Sequence, residues 1–356
     1  MIPQTMEAIV CFGPEDYRHQ EVPVPQVGPG EVLLRVLAVG ICASDAKCWS
    51  GAPLFWGDAT RTGYCQAPVI PGHEFSGEVV ALGPGVADLR LGDRVVSEQI
   101  VPCGLCRYCR HGQYWMCQRH DIYGFRQASQ GAMAQYVKLP HGSINYVLPP
   151  GLSAEAGAFV EPLGCSIHAV DRGDIHLGDV VVVAGCGPLG LGMVAAARLR
   201  GPRLLIALDT RAARLDIARA CGANLTLDPH DGAVREVLAV TDGYGCDVYI
   251  EASGAPDAVQ QGLEMVRKLG TFVEFSVMRQ PSTVDWTIIG DTKELNIRGS
   301  HLSPHTYPIA IDMLNRGQLP LDRIITHRLP LRSFDEGMAM VVQGQTSVKV
   351  QLIPEA

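Results

Sequence analysis

The sequence is short of positive charge: 29 Lys and Arg stand against 37 Asp and Glu in 356 residues, a formal net charge of −8. Nucleic acids and anionic membranes want a basic face, so this balance speaks against both as partners. There is no block of like charges, no low-complexity tract and no self-similar period, which excludes a repeat array. An unbroken apolar run is missing too. The longest candidate, "LGDVVVVAGCGPLGLGMVAAARL", is interrupted by glycines and a proline and carries Asp179 near its start and Arg198 near its end. No membrane span is predicted. The opening "MIPQTMEAIVCFGPEDYRHQ" has no basic stretch followed by an apolar one, so no signal peptide is predicted and the expected compartment is the cytoplasm.

What the chain has in quantity is length, apolar residues and cysteine. Its 356 residues exceed the usual size of one core and predict two domains. Of its twelve cysteines, four fall within "CGLCRYCRHGQYWMC" as Cys103, Cys106, Cys109 and Cys117, spaced C-x2-C-x2-C-x7-C. In a cytosolic chain of this length, clustered cysteines read as metal ligands before disulfides, and scattered ones as small buried hydrophobes. A short loop with this spacing converges three sulfurs, and the seven-residue excursion returns the fourth to close a tetrahedron. Zinc suits such a closed thiolate cage. The competing readings are a disulfide pair, which needs an oxidising compartment, and an iron–sulfur cluster, which is seldom set in a self-contained loop. With four protein sulfurs around it, a zinc here leaves no position for substrate and holds a lobe together.

From residue 180 the chain reads "VVVVAGCGPLGLGMVAAARLRGPRLLIALD". Four consecutive valines predict a strand buried on both faces, as in a parallel sheet. Gly185, Gly187 and Gly190 follow as G-x-G-x-x-G. The first allows the tight turn, the second lets backbone approach a pyrophosphate, and the third permits close helix–strand packing. A helix is predicted from about Leu189, after Pro188, with its amides toward the phosphates. Asp209 ends the next strand nineteen residues past Gly190, where a carboxylate bonds ribose hydroxyls and repels a 2′-phosphate, favouring NAD. Arg211, two residues on, is the one group that argues the other way. The segments "CDVYIEASG", "PDAVQQGLEMVRKLG", "TFVEFSV" and "LNIRGS" continue the strand–helix alternation, giving a doubly wound parallel sheet over roughly 157–300.

The motifs "GICASD", "PGHEFSGEVV", "LGDRVV", the cysteine loop, "VEPLGCSIHA", the glycine fingerprint and "EASG" run nearly end to end. Together they resemble the zinc-dependent medium-chain alcohol dehydrogenases. The resemblance implies an α/β protein with a GroES-like, mainly-β catalytic domain at 1–156 and 301–356 and a Rossmann domain at 157–300. By position, Cys42 and His73 match the family's catalytic zinc ligands. Glu74 matches the acid after the ligand histidine, able to stand behind the metal or swing onto it. Glu161 lies where simple alcohol dehydrogenases carry a second cysteine, and glutamate there is similar to the polyol branch. Three protein ligands would leave one vertex for water or substrate oxygen. Ser44 matches the hydroxyl that takes the alcohol proton, although helix N-capping is the alternative reading. The expected dinucleotide contacts are Gly185, Gly187, Pro188, Leu189, Gly190, Asp209, Arg214, Ser253, Phe275, Val277 and Ser300.

The chain departs from the family in two places. Lys47 stands where many members end the proton relay with histidine, and an ordinary lysine is protonated at neutral pH and a poor base. Between Cys42 and His73 runs "KCWSGAPLFWGDATRTGYCQA", longer than expected, with Trp49, Phe55, Trp56 and Tyr64 beside Asp58, Thr60 and Arg61. Two readings stand: aromatic walls for a polyhydroxyl substrate, or a surface loop packed by its own side chains. The implied activity is zinc- and NAD-dependent oxidation of a small polyhydroxylated alcohol, erythritol/threitol-type among the candidates, in a homotetramer or homodimer. Threonine or simple secondary alcohols are alternative substrates. A non-catalytic NAD sensor would be expected to have lost Cys42, His73 and Glu161, and a zinc-ribbon nucleic-acid module would need a basic patch.

Overall fold

A computed structural model describes residues 1–278 and 280–355. The chain divides into two compact units, Met1–Glu161 with Tyr307–Arg316 and Ile325–Ala356, and Pro162–Thr306 with Gly317–Ile324. Among the described residues no helix is long and apolar enough to cross a membrane.

The first unit is built on a seven-stranded sheet. Its strands run in the order Ile325–Pro330, Lys349–Ile353, Val32–Ile41, Glu74–Leu82, Arg94–Ser97 and Asn145–Val147, and Tyr136–Leu139 pairs with Val32–Ile41. A hairpin of Thr5–Gly13 and Asp16–Pro23 stands apart from that sheet. The strands are rich in Val, Ile and Leu. One core gathers Val32, Leu34, Val36, Val39, Ile41, Phe75, Val79 and Val95 with Phe334, Met338, Val350 and Leu352. Late strand Lys349–Ile353 therefore closes the same sheet as the early strand Val32–Ile41.

The second unit carries a six-stranded parallel sheet. Numbered along the chain, its strands lie third–second–first–fourth–fifth–sixth, from Leu225–Leu227 through Val180–Ala184 to Asn296–Gly299. This is the Rossmann order, in which the crossover reverses beside the first strand. Val181, Val182 and Val183 are fully buried, as a strand covered on both faces requires.

Two of the predicted roles in the glycine turn, the tight turn at Gly185 and the close packing at Gly190, are visible in its geometry. Gly185 adopts φ +98°, closed to most side chains, and a Cβ there would stand 2.8 Å from backbone of Ala252. Gly187 is the N-cap and Pro188 opens helix Pro188–Arg198, where its missing N–H costs nothing. At Gly190 a Cβ would collide with the carbonyl oxygen of Gly185. Because that neighbour is backbone, Gly190→Ala is expected to cost about 1–3 kcal/mol, read as a lower urea midpoint together with weaker dinucleotide binding.

Candidate functional site

Sheet register brings the predicted ligands together. In the antiparallel pair Val32–Ile41 and Glu74–Leu82, Gly40 stands opposite Glu74. The residues just beyond these ends, Cys42 and His73, are thereby neighbours despite their separation in sequence. On the other side Ile41 pairs with Val350, which brings Lys349 to the same corner. Gly40 has no side chain at this crossing, where a Cβ would press on Glu74 Oε2 and lie 2.8 Å from Lys349 Cε.

Cys42 caps helix Ala43–Trp49, and Asp45 closes the cap by accepting from Cys42 N at 2.8 Å. The other oxygen of Asp45 faces His73 Nδ1 at 3.6 Å, with both residues buried. A carboxylate behind a histidine fixes the ring and leaves Nε2 to face the site. Nε2 lies 3.4 Å from Ser44 Oγ. The thiol of Cys42, the imidazole of His73 and a carboxylate oxygen of Glu74 all lie within 4.8 Å of one another. A zinc bonded at about 2.0–2.3 Å to sulfur, nitrogen and oxygen needs donors gathered to this degree.

The electrostatics ask for a cation in the same place. Burial opposes a charged His73, yet Asp45, Cys42 and Glu161 outweigh it and raise its pKa well above the ordinary histidine value. Lys349 is buried too and forms an ion pair with Glu74, while donating to Ile41 O at 3.2 Å. Burial works against its charge, and Glu74 first, then Cys42 and Glu161, hold the ammonium in place. Asp45 Oδ1 and His73 Nδ1 have no hydrogen-bond partner. The residues present fit a divalent metal.

Glu161 sits in the first turn of helix Val160–Gly173, buried, and borders this group. Its Oε1 accepts from Gln99 Nε2. Lys47 lies half-buried in the last turn of helix Ala43–Trp49, where a positive charge suits the helix C-terminus. The long loop follows the self-packed reading for most of its side chains. Phe55 is core, Trp56 Nε1 donates to Cys48 O at 2.7 Å, and Asp58 accepts from Thr60 and Arg61 to close its own turn. Tyr64 packs both on Phe55 within the loop and on Phe125 outside it, and Phe125 packs in turn on His73.

The four sulfurs of Cys103, Cys106, Cys109 and Cys117 also lie within 4.8 Å of one another. The Cys106–Cys109 edge measures 3.5 Å and the Cys103–Cys109 edge 4.0 Å. A tetrahedron with arms of about 2.3 Å has edges of about 3.8 Å, so this cage suits zinc. Backbone amides of Leu105 and Cys106 point at Cys103 Sγ, and that thiol is shifted down. Amides of Cys109 and Gln118 bring Cys106 down to about 6. Thiolates ready to bind metal follow from such donors. All twelve cysteines are free thiols, so the disulfide reading falls away.

In the second unit the carboxylate of Asp209 accepts from Cys186 N at 2.8 Å and Arg211 N at 2.9 Å, tying the second strand to the glycine turn. Arg214 lies alongside, its Nη1 4.0 Å from where a Cβ on Gly187 would stand. Leu189 O accepts from Ser166. The Ser253 hydroxyl is turned inward: it donates to Glu251 and accepts from Ala255 N. Phe275 N donates to Glu251 O, Ser300 N to Glu274 O, and Val277 O lies 3.4 Å from where a Cβ on Gly254 would stand. Thus Ser253, Phe275, Val277 and Ser300 cluster at the carboxyl ends of strands Cys246–Glu251 and Val266–Glu274, the edge where doubly wound sheets bind ligands.

Sequence reasoning missed Asp45, Gln99 and Lys349. Asp45 was findable as the acid three residues after a helix-capping position. Lys349 is a charge inside an apolar closing strand, a signal that names a buried partner without saying which.

Two family models match this chain along most of its length. Residues 28–150 match the alcohol dehydrogenase GroES-like domain and residues 188–316 the zinc-binding dehydrogenase domain. The chain belongs to the zinc-dependent medium-chain alcohol dehydrogenases and is an oxidoreductase. It is 51% identical to the erythritol/L-threitol dehydrogenase of Mycolicibacterium smegmatis over 99% of both chains. It is 33% identical to the sorbitol dehydrogenase of Halalkalibacterium halodurans over 98% of this chain and 99% of that one. An alcohol dehydrogenase of Escherichia coli CFT073 complexed with NADH superposes with TM-score 0.88 at 25% identity, covering 99% of this chain and all of the other.

One carboxyl in the second unit, Glu274, is pushed well above the usual carboxylate range. Glu251 and Glu274 face each other across adjacent strands, and burial first, then Glu251, raises Glu274 from 4.5 to about 8. The native state therefore holds that proton more tightly than the unfolded chain, so its stabilising effect is complete at acid pH and fades as pH rises through about 8. Thermal stability is expected to decline from about pH 4.5 to about pH 8, and Glu274→Gln to flatten the decline. An unchanged slope in the variant would assign it to other groups.

Proposed function

We propose that this enzyme oxidises a sugar alcohol, four-carbon alditols such as erythritol or L-threitol foremost, to the corresponding ketose with NAD as hydride acceptor. The observation that carries the reading is the meeting of Cys42, His73 and Glu74 donors within 4.8 Å in a buried, acid-rich corner. Glu161 at the ligand position of the polyol branch and the names of the two relatives support the substrate class. Asp209 at the end of its strand supports NAD over its 2′-phosphorylated counterpart.

Cys42 and His73, with Glu161 or Glu74, would hold the catalytic zinc, and the four clustered cysteines a structural one. Bound there, zinc would supply a fixed positive charge beside the reacting hydroxyl, and the dinucleotide a hydride acceptor. The chain's own residues do the rest. Asp45 orients His73 so that Nε2 faces the site. Lys349 neutralises Glu74 and so sets how much negative charge the metal position carries. Ser44 Oγ, beside His73, takes the alcohol proton, and Lys47, one turn further along the same helix, is the candidate to pass it on. In the cofactor unit Gly185, Gly187, Pro188, Leu189 and Gly190 cradle the pyrophosphate, Asp209 and Arg214 flank the adenosine ribose, and Ser253, Phe275, Val277 and Ser300 line the nicotinamide end. Free thiols throughout suit a reducing compartment, so the enzyme is taken as cytoplasmic, and as a homotetramer or homodimer like others of its branch.

Purified enzyme is expected to carry two zinc ions per chain by elemental analysis and to form NADH with erythritol or L-threitol. Cys42→Ser is expected to lose one zinc and at least about 1,000-fold of turnover, as removal of a central catalytic group does. Cys106→Ser is expected to lose the other zinc and lower the melting temperature. One zinc per chain in the wild type, with turnover surviving in Cys42→Ser, would refute the assignment. Lys47→Ala is expected to shift the pH profile of hydride transfer, and an unmoved profile removes Lys47 from the proton path.

A further inference from the structure

The first unit contains an arginine whose Nε finds no acceptor among the described residues. Arg126 follows Phe125, whose ring centroid lies 5.4 Å from that of His73. Tyr64 packs edge-on to Phe125 at 5.6 Å, and the Arg126 guanidinium lies 6.0 Å from the Tyr64 ring centroid. Tyr64 and Phe125 thus form a continuous aromatic contact from the Arg126 guanidinium to His73.

Arg126 Nε is sealed from solvent and has no hydrogen-bond partner. Among the described residues its side chain enters no ion pair. Asp121, the carboxylate that acts with Arg126 on His120, is paired with Arg119 at 2.5 Å. A sealed guanidinium N–H with nothing to donate to is costly, and stacking on a tyrosine supplies no acceptor for it. A guanidinium presents its N–H groups as a planar fork suited to two oxygens side by side.

We propose that Arg126, assisted by the Tyr64 hydroxyl, binds the adjacent hydroxyls of an alditol beyond the reacting carbon, and is the specificity-determining residue of this site. The inference rests on the polyol reading above and deepens it. Neighbouring carbinol oxygens accept from the N–H groups of this half-buried side chain, and a hydroxyl that accepts from the guanidinium still has a proton to share with Tyr64. A monohydric alcohol leaves the fork empty.

The test compares erythritol and L-threitol with butane-1,2-diol, which keeps the reacting end and lacks the distal pair. In Arg126→Gln the ratio of kcat/KM for tetritol over butane-1,2-diol is expected to fall about 10- to 100-fold, chiefly through tetritol KM. Zinc content and NADH binding report that the variant is folded. Arg126→Lys keeps the charge without the fork and is expected to recover little of the ratio. Tyr64→Phe removes one hydroxyl and is expected to lower it about 2- to 10-fold, which keeps the test available if Arg126→Gln does not fold. Equal losses on both substrates, or an unchanged ratio, would overturn the role of Arg126 while wild-type tetritol turnover leaves the polyol reading standing. A wild type that prefers erythritol 4-phosphate, and loses that preference in Arg126→Gln, would overturn the diol assignment in favour of an anion site. A wild type silent on every alditol would overturn the polyol reading itself, and this inference with it.

Discussion

The chemistry of this protein depends on one strand pairing. Strand Val32–Ile41 is held between Glu74–Leu82 on one side and Lys349–Ile353 on the other. The ends of these three strands converge on one corner, which receives Cys42, His73–Glu74 and Lys349. Side chains alternate faces along a strand, so a slip of one residue would turn Glu74 into the opposite face and break its pair with Lys349. The apolar inner faces, with Val39, Ile41, Phe75 and Val350 buried in one core, hold the register in place.

The corner so made is electrostatically unusual. Asp45, Glu74, Glu161 and the Cys42 thiol crowd a buried volume where one lysine is the positive side chain in direct contact. Buried carboxylates either gather positive charge or take up a proton, and burial pushes the Asp45 carboxyl up. His73 shows this demand directly, its affinity for a proton raised by the surrounding acids. A metal satisfies the same demand and accepts the same donors. Gly40 belongs with the charged residues here, because a side chain there would occupy the space in which Glu74 meets Lys349.

The second cage solves a different problem with simpler means. Cys103 through Cys117 lie in one short loop, so local turns suffice to gather four sulfurs, and backbone amides favour the thiolates of Cys103 and Cys106. The Rossmann turn is local in the same sense. Gly185 and Gly190 act through close approaches to backbone, of Ala252 after the adjoining strand and of Gly185 itself. Such features depend on spacing, and spacing is what a sequence displays.

This difference explains what was legible beforehand. From residue patterns alone came the parallel-sheet unit with its glycine turn, the position of Asp209 at the end of the second strand, and the four-cysteine loop. Resemblance to a family was needed for Cys42, His73 and Glu161, because no periodicity connects residues that distant in sequence. Only the folded chain revealed that Asp45 backs His73, that Lys349 answers Glu74, that Gln99 holds Glu161, and that the Ser253 hydroxyl is spent on its own turn. It also showed how the long loop packs, with Phe55 buried between Tyr64 and Phe125 and the Arg126 guanidinium near the Tyr64 ring. Local chemistry is written in neighbouring letters. Charge compensation between buried groups is decided by which strands lie side by side, and that is a property of the tertiary structure.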